Sequence, residues 1–474
     1  MVYYITVNSI TLSPWLAQLR RQRADHTYNE LWSPDVTIVG GGIAGASTAY
    51  FILTRTDASV GLLEANRYGH GATGHNAGQI VSYFEKPFAE IVREYGVDRA
   101  AATQAGVESA WGLLEEIRAR THIRVPFNRF TGYAGCSSFS QVTKHLEDCF
   151  LISEVGLIPE QVFIDEKWLQ MNPLPKRYDG FYVPVPDTVI KDYLETNNSI
   201  YIAALAGQKG CMNSAWFTEE LMGWLLSEYP ERFWAAEQTP VRSIALHSHE
   251  CNLDISQGRV VTTKKVVLCT NGFENFSIIN NVNSAKIDSF FHDEISGFVS
   301  YMTAYTEKRE RPPLALSYFH TPSANHNDPY FYLTRRPFDL EETSKGVSQN
   351  LICVGGPEMV LPAEVTYERN SHFPESTVKE FSDFLKDNFR HTPHPLTHTY
   401  LWHGLMGYTR SGLRLVGPEP EMPRLLYNLG CNGVGILPSL FGAHRISSYI
   451  RGEVPPPCAF DPLAQRNLQK KPER

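Results

Sequence analysis

The sequence has few of the features that mark metal-binding, disulfide-rich or membrane-spanning proteins. Its eight cysteines lie far apart without a Cys-x-x-Cys pair, and no histidine cluster has the spacing of a zinc site. We therefore expect reduced cysteines that pack in the core, and no metal. No apolar run approaches the ~20 residues of a membrane span, and the amino-terminal segment lacks the basic-then-apolar order of a secretion signal. These absences predict a cytoplasmic protein without a membrane span.

A concentration of like charges is also missing. The net charge is −8, and the sequence contains no long block of one sign. A surface that follows nucleic-acid phosphates is therefore not expected, and neither is a tRNA-modifying activity. The 474 residues, of which 42% are apolar, suffice for two or three domains with large cores. We expect small molecules as partners, and no nucleic acid.

The most informative pattern that is present is a glycine-rich turn after a short apolar strand. Residues 36–45 read Val-Thr-Ile-Val-Gly-Gly-Gly-Ile-Ala-Gly and run into a helical pattern. Gly40 permits a tight turn, Gly42 lets the backbone approach a pyrophosphate, and Gly45 lets the helix pack close to the strand. The phosphates of a dinucleotide would then meet free amides at the amino terminus of the helix.

An acidic residue follows at the distance that such a site requires. Residues 60–63 form a second apolar strand that ends at Glu64, 19 residues past Gly45. An acidic side chain at this place accepts hydrogen bonds from the hydroxyls of an adenosine ribose. A plain turn between a core strand and a core helix is the alternative, and it leaves Glu64 unexplained. The order of strand, glycines, helix and acid predicts a dinucleotide site.

Periodicity predicts further elements along the chain. Apolar residues at helical spacing predict helices over residues 98–118, 214–229, 376–390 and 439–450, and a short helix that carries Arg20, Arg21 and Arg23. Strand patterns joined by proline-containing loops predict an antiparallel sheet over residues 298–305, 330–334 and 350–354. Segments typical of a nucleotide-binding domain and of a sheet domain therefore interleave.

A second loop of small residues directly follows the strand that ends at Glu64. Residues 69–79 read Gly-His-Gly-Ala-Thr-Gly-His-Asn-Ala-Gly-Gln, and such a loop can lie against the ring system of an extended dinucleotide. At this point the sequence resembles the FAD-dependent oxidoreductases of the D-amino-acid oxidase superfamily, whose members include glycine and sarcosine oxidases, dimethylglycine dehydrogenase and gamma-glutamylputrescine oxidase. The resemblance runs from residue 35 to residue 452 and includes the strand end at 268–272 and the blocks at 402–404 and 430–435.

The resemblance implies an α/β fold with two interleaved domains. A Rossmann-like FAD-binding domain would alternate along the chain with an antiparallel-sheet substrate domain. The implied division is an N-terminal arm over 1–34, an FAD-binding domain over 35–120, 205–280 and 400–454, a substrate domain over 121–204 and 281–399, and a C-terminal tail over 455–474. The arm would serve as a lid or as a packing segment.

The resemblance also assigns residues to FAD. In relatives the segment that corresponds to residues 433–436 opens the last helix, whose positive end faces the pyrimidine carbonyl of the flavin and favours the reduced state. Val241 stands where relatives place a strand whose backbone meets the adenine, and an ordinary strand valine is the equal alternative. The expected cofactor-binding residues are Gly40, Gly42, Ile43, Ala44, Gly45, Glu64, Gly71, Ala72, Thr73, His75, Asn76, Gly78, Gln79, Val241, Thr270, Gly272, Gly433, Val434, Gly435 and Ile436.

His75 carries the sharpest local hypothesis. In dimethylglycine and sarcosine dehydrogenases a histidine at this offset in the loop is covalently bonded to the flavin, whereas gamma-glutamylputrescine oxidases have arginine there and an untethered flavin. Covalent FAD attachment through His75 and a contact without a bond both stay open. The cysteine that sarcosine oxidases use for attachment, shortly before a Tyr-Thr pair, is replaced by Met406 before Tyr408 and Thr409.

The implied reaction is FAD-dependent oxidation of an amine C–N bond, in an amino acid, an N-alkyl amino acid or an acylated polyamine. Hydride would pass from the carbon to flavin N5, and water would hydrolyse the imine that forms. Candidate catalytic residues are Tyr330, Tyr332, Arg335 and His403. An arginine such as Arg335 would pair with a substrate carboxylate. Strand packing is the alternative for each of these residues, and a buried core histidine is the alternative for His403.

The electron acceptor stays open. Sarcosine oxidases carry a lysine near the flavin that assists oxygen reduction, and Cys353 stands at that position here. Molecular oxygen and another acceptor, as in a dehydrogenase, are both retained. A flavin-carrying partner subunit without amine oxidation of its own is a third alternative. An aromatic hydroxylase is disfavoured, because it would show a late Gly-Asp pair where residues 432–435 read Asn-Gly-Val-Gly.

Overall fold

The computed structural model describes residues 12–19, 24–29, 32–255, 258–272, 275–319, 330–338, 349–362, 365–369 and 371–469. The helices in these ranges are α1 Pro14–Ala17, α2 Ile43–Arg55, α3 Phe88–Tyr95, α4 Val97–Thr121, α5 Phe139–Glu154, α6 Glu166–Met171, α7 Asp187–Tyr193, α8 Ser214–Glu228, α9 Ile287–Glu294, α10 Glu375–Asn388, α11 Ile436–Ile450 and α12 Pro462–Gln469. The strands are β1 Val36–Val39, β2 Val60–Leu63, β3 Gln79–Val81, β4 Phe127–Cys136, β5 Gln161–Asp165, β6 Tyr182–Val185, β7 Ala203–Met212, β8 Phe233–Ala236, β9 Val241–Leu246, β10 Cys251–Ile255, β11 Arg259–Thr263, β12 Lys265–Leu268, β13 Ser277–Asn280, β14 Ile295–Lys308, β15 Leu314–Phe319, β16 Tyr330–Pro337, β17 Gln349–Val360, β18 Tyr400–Thr409, β19 Leu415–Glu419 and β20 Met422–Leu429.

A six-stranded sheet carries the glycine-rich turn. Its strand order is β19–β20–β12–β1–β2–β8. Strand β1 pairs in parallel with both β2 and β12, so that Val39 lies between Leu63 and Leu268. Nearly all residues of these three strands are buried, because both faces of the sheet are covered. The three strands end together, and the loops that follow them meet at one edge of the sheet.

Helices cover one face of this sheet and a second sheet covers the other. Helix α2 packs against α8 and α11, and α11 also packs against α4. Their common core contains Phe51, Leu62 and Leu440. The opposite face is covered by the four-stranded sheet β11–β10–β9–β13, and Leu253 and Tyr427 lie in the core between the two sheets.

The third sheet has ten strands. Nine follow the order β18–β14–β17–β16–β15–β4–β7–β5–β6, and β3 pairs with β7. Strands β14, β17 and β16 pair antiparallel, with Val354 between Thr303 and Leu333. Helix α10 covers this sheet, where Phe384 stacks on Phe331 with a centroid distance of 4.0 Å. The short strand β3 follows the small-residue loop and leads the chain directly into this sheet.

The α/β class with a Rossmann-like sheet and a second, largely antiparallel sheet is confirmed, although the pairs β4–β15 and β5–β6 of the second sheet are parallel. The four helices predicted over 98–118, 214–229, 376–390 and 439–450 are α4, α8, α10 and α11. Helix α11 begins three residues early, at Ile436. Pro438 is compatible with this start because it lies in the first turn, where a backbone N–H would have no acceptor within the helix. The three predicted strands belong to β14, β16 and β17.

The predicted domain division, the amino-terminal arm, the cysteines and the location have separate outcomes. Strand β18, which the predicted division placed in the FAD-binding domain, pairs along its whole length with β14 and so belongs to the ten-stranded sheet. The domain boundaries stay predictions. Arg20, Arg21 and Arg23 lie outside the described residues.

All eight cysteines are free, and only Cys431 is not fully buried. No helix in the described ranges has the length and apolar character needed to cross a membrane, and the cytoplasmic location stays a prediction.

Candidate active site

A cavity of about 610 Å³ lies where the strand ends of the six-stranded sheet face the ten-stranded sheet. All predicted cofactor-binding residues line it except Gly45 and Gly272. Among the candidate catalytic residues whose side chains are described, Tyr332 lines it and Arg335 and His403 do not. A cavity of this volume is in the range of cofactor and ligand pockets.

Glycines shape the turn after β1 because added atoms would collide with backbone. Gly40 has a φ of +105°, and a Cβ there would lie 2.6 Å from the carbonyl oxygen of Cys269. A Cβ on Gly45 would lie 1.9 Å from the carbonyl oxygen of Gly40, so α2 packs this close to the turn only with glycine. Gly45 therefore shapes the cavity wall without lining it. Gly272 lies behind the wall as well, where a Cβ would meet Ile295 at 2.7 Å.

The amino terminus of α2 faces the cavity. Gly42 is its N-cap, and since glycine has no side chain, the cap residue leaves the first amides without a side-chain hydrogen bond of its own. Ile43 donates its amide to Thr73 Oγ1 at 3.0 Å, which ties the helix to the small-residue loop. First-turn amides and the helix dipole favour an anion at this end. A Cβ on Gly42 would lie 2.9 Å from Thr73 Oγ1, so the space favours glycine here. Because glycine has no side chain, the backbone can approach a pyrophosphate closely.

Glu64 stands at the end of β2 on the cavity wall. One carboxylate oxygen accepts the amide of Gly41 at 2.6 Å, and the other accepts the amide of Asn66 at 2.8 Å. Burial raises the pKa of the Glu64 carboxyl, and these two hydrogen bonds oppose the rise. Each oxygen keeps a further lone pair, so the carboxylate can also accept the two hydroxyls of a ribose. The cradle and Glu64 together fit the diphosphate and ribose of FAD.

Asn76 fixes the shape of the small-residue loop. Its amide nitrogen donates to the carbonyl oxygens of Ala72 at 3.1 Å and Thr73 at 2.8 Å, and its oxygen accepts the amide of Gly78 at 2.7 Å. Trp15 of the amino-terminal arm closes the outer side, where a Cβ on Gly78 would lie 2.7 Å from its ring. The Asn76 side chain is therefore occupied in holding the loop, and the arm packs against it.

His75 lies in the same loop and packs against β18. A Cβ on Gly404 of that strand would lie 2.5 Å from the carbonyl oxygen of His75. The ring nitrogen Nδ1 is 2.9 Å from the carbonyl oxygen of Gly71. Burial, as the largest cause, lowers the pKa of His75 to about 4. The ring is therefore neutral at pH 7, with its proton on Nδ1 toward Gly71 and a lone pair on Nε2.

Helix α11 brings a second amino terminus to the cavity. Gly435 is its N-cap without a side-chain hydrogen bond, and Gly433, Val434 and Ile436 also line the cavity. The carboxylate of Glu85 lies close by, since a Cβ on Gly433 would be 1.8 Å from its Oε1. The dipole of α11 favours negative charge at this end, whether from a side chain or from a ligand.

Two carboxylates, Glu85 and Glu358, line the cavity together with Tyr332. Tyr408 donates its hydroxyl to Glu85 at 2.8 Å. Burial, and to a lesser degree the charge of Glu85, raise the pKa of Glu358 to about 8. A cation near this pair would favour the ionised form of both acids, so the arrangement can bind a positively charged group. We refer to Glu85 and Glu358 as the acidic pair.

Three cavity-lining residues that follow the small-residue loop, Val81, Tyr83 and Glu85, were not predicted from the sequence. Gln79, Val81, Tyr83 and Glu85 line the cavity, and the residues between them do not. Side chains of an extended segment alternate between two faces, so this period of two could have identified Tyr83 and Glu85. Further lining residues carry no local signal: Ser300, Met302, Glu358, Tyr367, Arg369 and Arg414.

Arg335 does not line the cavity, and the expectation that it binds the substrate is wrong. Tyr332 and Arg335 are three residues apart on β16, so they project from opposite faces of the sheet. The guanidinium of Arg335 is buried and forms two hydrogen bonds of 2.7 Å with the carboxylate of Glu195. Its carboxylate partner is therefore part of the protein. The adjacent Arg336 stacks on Trp15, 4.0 Å from the ring centroid.

His403 is a core histidine rather than a cavity residue, which corrects its candidate role. Its Nδ1 lies 2.9 Å from the hydroxyl of Tyr367, and its Nε2 lies 3.1 Å from Ser371 Oγ. Burial lowers the pKa of His403. Its hydrogen-bond partner Tyr367 does line the cavity. For Tyr330 only the backbone at the start of β16 is described.

Comparisons with known proteins agree with this geometry. The family described as FAD dependent oxidoreductase (DAO) matches residues 35–210 and 224–448. Gamma-glutamylputrescine oxidoreductase of Escherichia coli (strain K12) is 38% identical over 90 residues, which are 19% of this chain and only 21% of that relative. L-proline dehydrogenase from P. horikoshii has a TM-score of 0.66 at 15% identity over 92% of this chain and 98% of that one. Glycine oxidase from Geobacillus kaustophilus has a TM-score of 0.60 at 15% identity over 90% and 98%. These two structures share the fold, and since the family match extends over most of its length, the chain belongs to the DAO family of FAD-dependent oxidoreductases.

Proposed function

We propose that this chain oxidises the C–N bond of a small amine, with FAD as the immediate electron acceptor. The substrate class comprises amino acids, N-alkyl amino acids and acylated polyamines. The observation that carries the proposal is that the glycine cradle, Glu64 and the acidic pair all line one cavity. A cofactor held by the cradle and an amine held by the acids would share one enclosed space, which is the arrangement that direct transfer between them requires.

The residues that would hold FAD follow from the two helix termini. The glycine cradle and the first amides of α2 would bind the pyrophosphate, Glu64 the ribose, and the backbone at Val241 the adenine. The small-residue loop and the amides at residues 433–436 would lie at the flavin ring, where the dipole of α11 favours the negative charge of the reduced state. When bound, FAD supplies the acceptor, at N5, for the hydride that leaves the substrate carbon.

The tasks left to the protein are to bind the amine, to position its α-carbon, to accept a proton and to exclude water. The acidic pair would bind a cationic group of the substrate, and Tyr332 lies beside it. Loss of two electrons and two protons converts the amine into an imine, which water hydrolyses to a carbonyl compound and either ammonia or a smaller amine. The reaction passes through no covalent bond between substrate and protein, so it needs neither a catalytic triad nor a carboxylate pair that acts as nucleophile and acid.

His75 would contact the flavin, and the covalent form of this contact is the finer proposal. A neutral imidazole with a free lone pair on Nε2 is the form that can bond to the flavin methyl carbon. Precipitation of the holoenzyme in acid distinguishes the two forms. Colour retained in the pellet, and lost from it in His75→Ala, supports the bond. Colour released wholly into the supernatant excludes the bond and leaves a non-bonded contact.

A dehydrogenase that uses an acceptor other than oxygen is the second candidate. Cys353, which stands where sarcosine oxidases have an oxygen-activating lysine, is buried and does not line the cavity. None of the described residues that line the cavity is a lysine. Oxygen consumption measured beside the reduction of an artificial dye separates the candidates. An oxidase consumes oxygen as fast as it consumes the amine, whereas a dehydrogenase turns over only with the dye.

An anaerobic bleaching screen tests the proposed function. Amino acids, N-methyl amino acids and polyamine conjugates are added to the oxidised holoenzyme, and the flavin absorbance is followed. At least one amine should bleach the flavin and release one carbonyl product for each FAD reduced. Dithionite serves as the control that the flavin is accessible to reduction. If dithionite bleaches the flavin and no amine does, the chain is a flavin-carrying partner subunit and the proposal is refuted.

A further inference from the structure

A buried lysine lies behind the cavity wall. Lys209 of β7 is 2% exposed. Its Nζ donates to the carbonyl oxygen of Tyr133 and to Ser317 Oγ, each at 3.3 Å. Both of these acceptors are uncharged, and Glu160 acts on the lysine only through space. A lysine in such an environment is held less firmly in its charged form than a surface lysine, and this is the property of lysines that act as proton acceptors.

Ser317 connects this lysine to the cavity. Its side chain is buried on β15, where it accepts the hydrogen bond from Lys209 and lies close enough to the side chain of Tyr83 to act on the pKa of that hydroxyl. Tyr83 lines the cavity, and the Nζ of Lys209 is 5.7 Å from its ring centroid. The three side chains therefore lie in sequence from the buried lysine to the cavity and form a polar path through the wall. The catalytic roles proposed above leave this path unused.

The charges around the path suit a proton acceptor at its inner end. Burial lowers the pKa of Lys209 to about 8, and the charge of Glu160 opposes that change. Burial raises the pKa of Tyr83, as do the charges of Glu160 and, from the cavity side, Glu85. Tyr83 therefore keeps its proton near neutral pH and can accept one proton while it passes on another. Tyr133 contributes only its carbonyl oxygen to Lys209.

We propose that neutral Lys209, through Ser317 and Tyr83, accepts the proton that a substrate ammonium must lose before its C–H bond is oxidised. The ammonium N–H bond breaks as an O–H bond forms at Tyr83. Tyr83 passes its own proton to Ser317, and Ser317 passes its proton to Nζ. One proton moves along the path and no electron does, so the substrate is left as the neutral amine and Lys209 as an ammonium. The inference rests on the proposed function, because it needs an amine in the cavity.

The test is the pH dependence of flavin reduction in the anaerobic holoenzyme, at saturating concentration of an amine that bleaches it. In the wild type the limiting rate should rise with pH through an inflection near the Lys209 pKa of about 8. Lys209→Met should lose this inflection and follow the substrate's own pKa, with a rate at neutral pH lower by ~100-fold. Tyr83→Phe and Ser317→Ala interrupt the path without removing the lysine and should give the same change.

A matched control is Lys265→Met. Lys265 of β12 also has a pKa lowered by burial, but it does not line the cavity or contact the path. Its substitution should leave the pH profile unchanged. As a readout that needs no turnover, a lysine NMR titration of the oxidised holoenzyme should show one amine that titrates near pH 8, and this signal should be absent in Lys209→Met.

Three outcomes overturn the inference. Unchanged pH profiles in Tyr83→Phe and Ser317→Ala exclude the path, even if Lys209→Met is too unstable to study. An inflection that persists in these variants but disappears in Glu358→Gln assigns the proton to a carboxylate of the acidic pair. If no amine reduces the wild-type flavin, the proposed function fails and the inference fails with it. The first two outcomes leave the proposed function intact.

Discussion

The two ends of the cavity are built from different parts of the chain. At the nucleotide end the wall is mainly backbone, formed by the glycines after β1 and the first amides of α2, with Glu64 as the principal functional side chain. At the substrate end the wall is made of side chains, among them Tyr83, Tyr332 and the acidic pair. A backbone wall leaves no room for added atoms, whereas a side-chain wall can be changed without moving the fold. The first end should therefore determine whether FAD binds, and the second which amine is oxidised.

The largest expected effect is that of Gly45→Ala. The new methyl group would lie 1.9 Å from the carbonyl oxygen of Gly40, so α2 must move away from the turn and the pyrophosphate site opens. Overpacking of this kind costs about 1–3 kcal/mol, and we expect most of the bound FAD to be lost. Flavin content after gel filtration and the Tm measure both consequences. Gly112→Ala in α4, where no atom lies within 4 Å of an added Cβ, is the matched control and should retain FAD. Full flavin content in Gly45→Ala would refute the idea of a backbone wall.

A smaller effect is expected for Glu64→Ala. Loss of a charged acceptor for the ribose hydroxyls should weaken FAD binding by about 10-fold to 100-fold, the equivalent of roughly 1.5–3 kcal/mol. Titration of the apoprotein with FAD measures this change. FMN lacks the adenosine, so its affinity should be the same in the wild type and the variant. An equal loss for both flavins would mean that Glu64 acts by supporting the turn through Gly41 and Asn66.

Glu358→Gln should have the smallest of these effects, and only on the substrate. We expect the KM for a cationic amine to rise by about fivefold, with unchanged FAD affinity. Because the pKa of Glu358 is raised to about 8, the wild-type carboxyl is neutral below that pH and charged above it. The KM of the wild type should therefore fall as the pH rises through 8, and the KM of the variant should not.

The control for that experiment is Glu368→Gln, which removes an exposed carboxylate that does not line the cavity. Its KM profile should match that of the wild type. An identical KM profile in Glu358→Gln and the wild type would show that the substrate end does not recognise charge through the acidic pair. A loss of FAD in Glu358→Gln would contradict the idea that the substrate end does not determine FAD binding.

How far the sequence predicts each end follows from the same difference. The cradle and Glu64 are specified by residues close together in the chain, with an order of strand, glycine, helix and acid that has a direct structural meaning. Arg335 was predicted from its place after Tyr332, but strand alternation turns it to the other face. There it meets Glu195, a residue 140 positions away that no local pattern could pair with it.

The remaining substrate-end residues were predictable only in part. Tyr83 and Glu85 continue the alternation of lining residues that begins at Gln79, so counting in steps of two from Gln79 would have reached them, although the residue types at 79–85 do not themselves alternate. Glu358 reaches the cavity because β17 pairs with β14 in one particular register, where it lies opposite Ser300. Such long-range pairing depends on the packing of the whole sheet rather than on local sequence. The buried path to Lys209 depends on the same sheet and was equally hidden.

A crystal structure of the FAD complex with a bound, non-oxidisable amine analogue would show whether the cofactor and the substrate share this one cavity. We expect the pyrophosphate at the amides of α2 and the flavin ring between the small-residue loop and the amino terminus of α11. We also expect the amine nitrogen within hydrogen-bonding distance of the acidic pair or of Tyr83. A flavin bound elsewhere, or an amine analogue in a cavity separate from the flavin, would contradict it.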